Sequence, residues 1–303
     1  MAGSADTILY GWRGAPLLRR LTRHAQLMRL NRPIGIGLLL WPTLWSLWIA
    51  ARGLPGAPTM PTVKLLVIFI LGTVVMRSAG CVVNDLADRN IDPQVKRTKG
   101  RPLALRLLSP YEAVALFTAL VLVALWLVLL LGTRTALYSI VGAALTVSYP
   151  FAKRFFALPQ FWLGAAFGWA IPLAFVATLG GVPRLGWLLF IVTVLWAGVY
   201  DTQYAMVDRD DDLKIGVQST AIAFGDMDRL LIGVMQVMVL AGLAFTGHSL
   251  RLHWPFWLAL GAALLLFGYQ QWLIRNRDRG QCFKAFLNNN WVGLIILAGI
   301  AAA

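Results

Sequence analysis

Charged side chains are scarce in this sequence. Asp, Glu, Lys and Arg make up 13% of its 303 residues, about half the share of an ordinary soluble domain. A chain of this length can bury a large core, but the residues for a polar surface around that core are missing. Cysteine is nearly absent as well. Cys81 and Cys282 are too few for a disulfide framework or a Cys-based metal centre, and they read as packing residues. What abounds is apolar: 59% of residues are hydrophobic, with 13 Trp and 28 Gly. That composition suits a membrane protein, where Trp marks the interfaces and Gly lets helices approach closely.

Nine apolar stretches follow one another, roughly at 33–51, 63–83, 112–132, 135–149, 160–179, 186–201, 229–247, 255–274 and 286–303. Each spans or nearly spans a hydrocarbon core of about 30 Å. Lipid offers no partner to irregular backbone, so all nine are expected to be helices. The expected fold is therefore all-α and polytopic, with residues 1–32 as an N-terminal segment and 33–303 as a single transmembrane domain. The net charge of +14 does not point to nucleic acid, because no basic, aromatic-laced soluble segment exists. The basic residues follow topology instead. The N-terminus and the even-numbered connections hold 21 Lys and Arg against five in the others, with Arg77 inside the second stretch. Positive charge gathers on the cytoplasmic side, which places the N-terminus inside and the C-terminus outside.

Acids are more concentrated still. Ten of the thirteen occupy two connections on that same side. In the first, Asn84, Asp88 and Asp92 are spaced four apart, and Asp85 lies beside them; on a helix the three line one face. In the second, Asp201, Asp208 and Asp212 share a face at spacings of seven and four. Carboxylates stacked at the end of a membrane helix repel one another and resist desolvation, so something positive must compensate. Hard oxygen donors without His or Cys suit Mg²⁺, which takes one or two carboxylates and completes its shell with water and phosphate. Asp85, Asp88, Asp92, Asp201, Asp208 and Asp212 are the candidate metal ligands, with Asn84 in support. Facing one another, the clusters would hold Mg²⁺ bridged by a diphosphate. A single loop acid is more simply a solvated residue paired with a nearby Arg or Lys, but two spaced clusters on one membrane side weigh against that. Asp210 and Asp211 lie off the stripe and are read as solvated. Asp226 and Asp228 are assigned to the start of the seventh helix, where acids suit the helix dipole.

Basic residues accompany both clusters. Arg32, Arg77, Arg89, Lys153, Arg154 and Lys214 are the candidates for binding a diphosphate or an acidic acceptor. Arg77 stands apart, because a cation inside a span requires a partner, and its helical stripe leads toward the first cluster.

The first cluster matches N-D-x-x-D-x-x-x-D in full, and the second matches D-x-x-x-D through Asp208 and Asp212. In this the chain resembles the UbiA superfamily of membrane prenyltransferases. Asn31 to Gly35, Leu38 to Trp45, Gly164 to Trp169, Tyr200 to Gly216 and Phe283 to Asn290 extend the resemblance over nearly the whole chain. These longer stretches are similar to the bacterial 4-hydroxybenzoate polyprenyltransferase branch. One departure is visible: after Arg-Pro-Leu the family usually has a small residue and then Gly, whereas Arg101-Pro102-Leu103 continues as Ala104-Leu105-Arg106, so a different turn is expected there.

The resemblance implies nine helices around a central cavity that opens sideways to membrane lipid, with the aspartates at its cytoplasmic end. It implies Mg²⁺-dependent transfer from a polyprenyl diphosphate to 4-hydroxybenzoate, ortho to the hydroxyl, in ubiquinone biosynthesis at the bacterial inner membrane. Asp88 and Asp208 would be central to catalysis, and Arg154 would meet the hydroxybenzoate carboxylate or phosphate. Neither a nucleic-acid nor a protein partner is inferred. Two rivals remain: other acceptors within the superfamily, such as dihydroxynaphthoate or homogentisate, and an ion-coupled transporter. The transporter would place acids near mid-span beside a broken helix, whereas here they gather at one end.

Overall fold

The computed structural model describes residues 16–52, 60–94, 98–152, 156, 158–216 and 218–303, without the side chains of Pro16, Asp211, Lys214 and Ile215. Twelve α-helices run in order: α1 (Pro16–Leu27), α2 (Ile34–Arg52), α3 (Val63–Ala87), α4 (Pro110–Leu129), α5 (Thr133–Ala152), α6 (Pro159–Gly168), α7 (Ala170–Leu179), α8 (Arg184–Ile215), α9 (Thr220–Ala223), α10 (Asp228–Ser249), α11 (Trp254–Ile274) and α12 (Arg279–Ala302). Counting α6 and α7 together, nine among the described residues are long and apolar enough to cross a membrane. Among the described residues there is no strand.

Local sequence explains several ends. The Ser109 hydroxyl accepts from the Glu112 amide and the Glu112 carboxylate accepts from the Ser109 amide, a reciprocal cap that starts α4 with Pro110 just inside it. The Asp278 side chain caps α12, accepting from the Gln281 amide at 2.9 Å. That cap starts the ninth span at Arg279 rather than near 286. The fifth span is two helices, not one. Pro172 has no amide to offer the Gly168 carbonyl, so the hydrogen-bond ladder breaks at Trp169. The broken span carries no acid, unlike the transporter arrangement.

The largest departure is α8. Its apolar stretch suggests an end near 201, yet the helix continues for 32 residues to Ile215, about 48 Å. That exceeds the apolar layer and carries Asp208 and Asp212 past its edge. Gly216 ends the helix at φ +70°, its amide reaching the Asp212 carbonyl.

The main core lies where α2, α8, α10, α11 and α12 meet. Trp45 of α2 stacks on Trp196 of α8 with ring centres 5.2 Å apart. On the other side of α8, Gly164 lets α6 press close: a Cβ there would lie 2.9 Å from the Val194 carbonyl oxygen. The back of α8 carries Trp196, Gln203 and Asp210 at seven-residue spacing, opposite Asp201, Asp208 and Asp212. Trp196 Nε1 donates to Asn289 Oδ1 at 3.0 Å, and Asn289 Nδ2 to Gln203 Oε1 at 2.8 Å. Gln203 and Gln236 both donate to Gln270 Oε1 at 3.0 Å. These four amides are buried. Interhelical hydrogen bonds of this kind fix helices against one another within an apolar layer, so α8 is held with its aspartate face turned inward.

The described part of the N-terminal segment packs onto the bundle. Leu27, fully buried, lies against Val82, Leu103, Leu108 and Ala113.

Candidate active site

α3 ends at Ala87, and Asp88 caps it. The chain nevertheless keeps its helical spacing, because the Asp88 amide bonds the Asn84 carbonyl and the Asp92 amide bonds the Asp88 carbonyl, each at 2.9 Å. The expected stripe therefore survives the end of the helix. Asn84, Asp85, Asp88 and Asp92 line one cavity of about 1070 Å³ together with Asp201, Asp208 and Asp212 from α8. The two clusters, over a hundred residues apart in sequence, thus meet in one space.

Their carboxylates are not equivalent. Asp85 is 1% exposed, and Arg29 Nη2 grips both its oxygens at 2.8 and 3.0 Å. Arg101 Nη1 lies 3.0 Å from Asp85 and donates to both oxygens of Asp92, at 2.9 and 2.8 Å. Burial raises the Asp92 pKa, and the Arg101 charge opposes that rise. Burial lowers the Arg29 pKa, opposed by Asp85 and reinforced by the charges of Arg101 and Arg77. Asp85 and Asp92, counted among the ligands from spacing, thus have their charge answered from within the protein. Among the described residues, no three acids or other metal-binding side chains converge closely enough to hold an ion unaided.

The basic candidates separate in the same way. Arg32 and Arg77 line the cavity. Arg89 is exposed and donates to the Leu86 carbonyl at 2.9 Å. Lys153 and Arg154 lie outside the described residues, as does the Lys214 side chain. Arg29 and Arg101 are the charged residues that spacing missed. Both belong to runs of basic residues that read equally well as topology signals.

Aromatic rings complete the wall. Tyr204 lies 4.7 Å from Phe286 and 6.3 Å from Phe283, and Tyr200 packs edge-on to Phe286 at 6.4 Å. All four line the cavity, and Leu125, Ile140 and Val147 extend it along α4 and α5.

The loop carrying Arg101 turns at Arg106, whose φ is +55°. The left-handed residue falls one position beyond the place where the resemblance has Gly. Arg106→Gly should remove a strain of about 1 kcal/mol. Thermal melting of the purified variant should show a rise, and an unchanged or lower midpoint would contradict it.

A helical membrane bundle with two aspartate clusters in one elongated cavity is the architecture of a membrane prenyltransferase. The profile of the UbiA prenyltransferase family matches residues 39–294, and the chain belongs to that family. It is 57% identical over 281 residues to the 4-hydroxybenzoate octaprenyltransferase of Alkalilimnicola ehrlichii, covering 93% of this chain and 94% of that one. Over 284 residues it is 54% identical to the 4-hydroxybenzoate octaprenyltransferase of Coxiella burnetii, covering 94% and 97%. Among solved structures, a UbiA homolog from Aeropyrum pernix K1 superposes with a TM-score of 0.76 at 26% identity, covering 88% and 97%. A UbiA homolog from Archaeoglobus fulgidus, bound to GPP and Mg²⁺, shares the fold at 0.67 and 16% identity, covering 93% and 100%.

Proposed function

We propose that this protein transfers the polyprenyl group of a polyprenyl diphosphate to 4-hydroxybenzoate, ortho to the hydroxyl, in ubiquinone biosynthesis. The observation that carries this is the meeting of both acid clusters at one end of a cavity with apolar and aromatic walls. The clusters suit the diphosphate and the walls its hydrocarbon tail. The near full-length identity to two 4-hydroxybenzoate octaprenyltransferases supports the acceptor.

The donors facing the cavity fit Mg²⁺. Asn84, Asp88, Asp201, Asp208 and Asp212 offer oxygen, the donor type that suits Mg²⁺, while the Cys81 thiol in the same lining is taken up by Arg77 Nη1 at 2.8 Å. Asp85 and Asp92 line the same cavity but are held by Arg29 and Arg101. Too few carboxylates converge to complete a shell, which suits an ion that takes its remaining ligands from diphosphate and water. When bound, Mg²⁺ would neutralise charge on the diphosphate as it departs.

The remaining chemistry falls to the chain. Lys153, Arg154 and Lys214 are the proposed cationic contacts for the diphosphate oxygens. As the allylic C–O bond breaks, both electrons leave with the diphosphate and the allylic carbon becomes positive. Tyr200, Tyr204, Phe283 and Phe286 keep water from that carbon and offer it their ring faces. The ring carbon ortho to the hydroxyl then forms the new C–C bond, and a base takes the displaced ring proton.

One experiment tests both reaction and metal. Membranes holding the protein, given labelled 4-hydroxybenzoate and polyprenyl diphosphates, should yield a labelled prenylated lipid. Chelator should abolish the product and Mg²⁺ restore it, with Zn²⁺ a poor substitute. Full activity in excess chelator would exclude the metal, and no product from any donor would exclude the reaction.

Residues 33–303 form the proposed prenyltransferase domain and 1–32 a cytoplasmic segment, whose described part packs onto the bundle through Leu27. The proposed location is the bacterial inner membrane, and the charge bias supports an N-terminus and acid clusters on the cytoplasmic side. A reporter active only outside the membrane should give signal when fused at Ala303 and none when fused after Gly216. The opposite pattern would reverse the orientation.

A further inference from the structure

Helix α1 takes no part in the chemistry proposed above, yet its surface is unlike that of a soluble helix. Leu17, Leu18 and Leu21 are 68%, 43% and 56% exposed. At about 100° per residue they share one arc of the helix, with Ala25 among them. The rest of the circumference carries Arg19, Arg20, Arg23 and His24. The docked side is narrow. Leu27 is buried, Arg20 Nε donates to Glu112 Oε1 at 2.8 Å, and Arg23 Nη1 reaches the Leu107 carbonyl at 3.4 Å. These contacts leave the leucines uncovered. Twelve residues make a marginal helix in water, so burial of the apolar arc is the larger source of stability still open to it.

The same contacts fix the height of α1. Glu112 stands in the first turn of α4, where that helix enters the apolar layer. Nearby, Tyr111 is 87% exposed, and Leu105 and Leu107 are exposed as well. Aromatic and apolar side chains at the end of a span mark a membrane–water interface. An amphipathic helix at that height lies along the bilayer surface, with its leucines among acyl chains and its guanidinium groups among headgroups. Charge favours an anionic surface. α1 contains no acid, and among the described residues no carboxylate pairs with Arg19 or Arg23.

α1 also leads directly into the site. Just past it Arg29 takes φ +59°, and the Arg29 and Leu30 amides reach the Gln26 and Ala25 carbonyls, each at 3.0 Å. That closure usually has Gly at the left-handed position. Arg stands there instead, and its guanidinium grips Asp85 in the cavity. The seating of α1 therefore bears on the Arg29–Asp85 pair.

We propose that α1 is an interfacial helix seated on an anionic bilayer surface, and that this seating holds Arg29 on Asp85. The proposal goes beyond the reaction above, and its first test needs no substrate.

The full chain is placed in nanodiscs of phosphatidylcholine, alone or mixed with phosphatidylglycerol. A spin label is attached at Leu17→Cys, at Leu21→Cys or, on the polar arc, at Arg19→Cys. Cys81 and Cys282 are buried, and the unsubstituted protein gives the background. In anionic discs, oxygen should reach the labels at 17 and 21 several times more readily than a water-soluble nickel complex does. The label at 19 should show the reverse. In neutral discs, or at high salt, the labels at 17 and 21 should shift toward the nickel complex, because the headgroup attraction is absent or screened.

Prenyl transfer should be severalfold faster in anionic discs than in neutral ones. Leu17→Glu combined with Leu21→Glu should erase that difference, with melting to confirm that the double variant is folded. Labels at 17 and 21 open to nickel in anionic discs, or seated equally in both kinds of disc, would overturn the seating. A seated helix with transfer indifferent to lipid charge would overturn the link to Arg29. If no disc supports prenyl transfer, the proposed reaction fails, and the labels alone decide the seating.

Discussion

Asp88→Asn and Asp208→Asn are each expected to cut prenyl transfer at least about a hundredfold, the scale for losing one strong electrostatic stabiliser of a transition state. Both changes remove charge but almost no volume, so the helices should still pack. Each also relieves repulsion among neighbouring carboxylates, so melting without Mg²⁺ should be unchanged or slightly higher. Asp210→Asn is the control. Its side chain is 70% exposed and meets Arg279 at 2.9 Å, a surface pair worth little, on the back of α8 rather than in the cavity. Measuring transfer and metal-free melting for all three variants decides the matter. If Asp210→Asn proves as damaging as Asp208→Asn, the two-cluster site is wrong.

Arg277→Leu should be strongly destabilising, costing about 3–5 kcal/mol. Asp228, the first residue of α10, is 0% exposed. Arg277 grips it with Nε at 3.0 and 3.2 Å and Nη2 at 2.8 Å, while Nη2 also reaches the Asp226 carbonyl at 2.9 Å. The hydrogen bonds to Asp228 raise the Arg277 pKa. Without the guanidinium, a buried carboxylate keeps only its own helix start and Arg209, 4.0 Å away. Asp228→Asn should cost less, because Arg277 is 28% exposed and can turn to water. Thermal melting of both variants checks the order, and equal midpoints would contradict it.

The nine spans were legible because lipid imposes one pattern, a long apolar run, and this chain obeys it nine times. The placement of the acids followed from spacing, since α8 is a helix through Asp212 and the first cluster keeps a helical rise past Ala87. Much of what spacing missed came from pairings distant in sequence. Arg29 is 56 residues from Asp85 and Arg277 is 49 from Asp228; each Arg alone is indistinguishable from a topology signal. Asp228 was placed correctly at its helix start, but its burial was not visible. The apolar run of α8 alone ends near 201, and only the spacing of its aspartates signals the turns beyond it. Gln203, Gln236, Gln270 and Asn289 gave no warning either, as single amides scattered through apolar runs.

Those amides have a consequence for the enzyme during turnover. The proposed reaction breaks a bond to a highly charged group, releases a proton, and must reset before the next substrate arrives. Local charge and acidity near the cavity therefore swing with each cycle. Gln and Asn carry no ionisable proton in that range, so the clasp from Trp196 through Asn289 and Gln203 to Gln270 is insensitive to the swing. The charged contact of α8's back stripe, Asp210 with Arg279, lies at the exposed end, where water screens it. The helix bearing half the acids is thus mounted on an uncharged bearing that takes no part in the chemistry it supports.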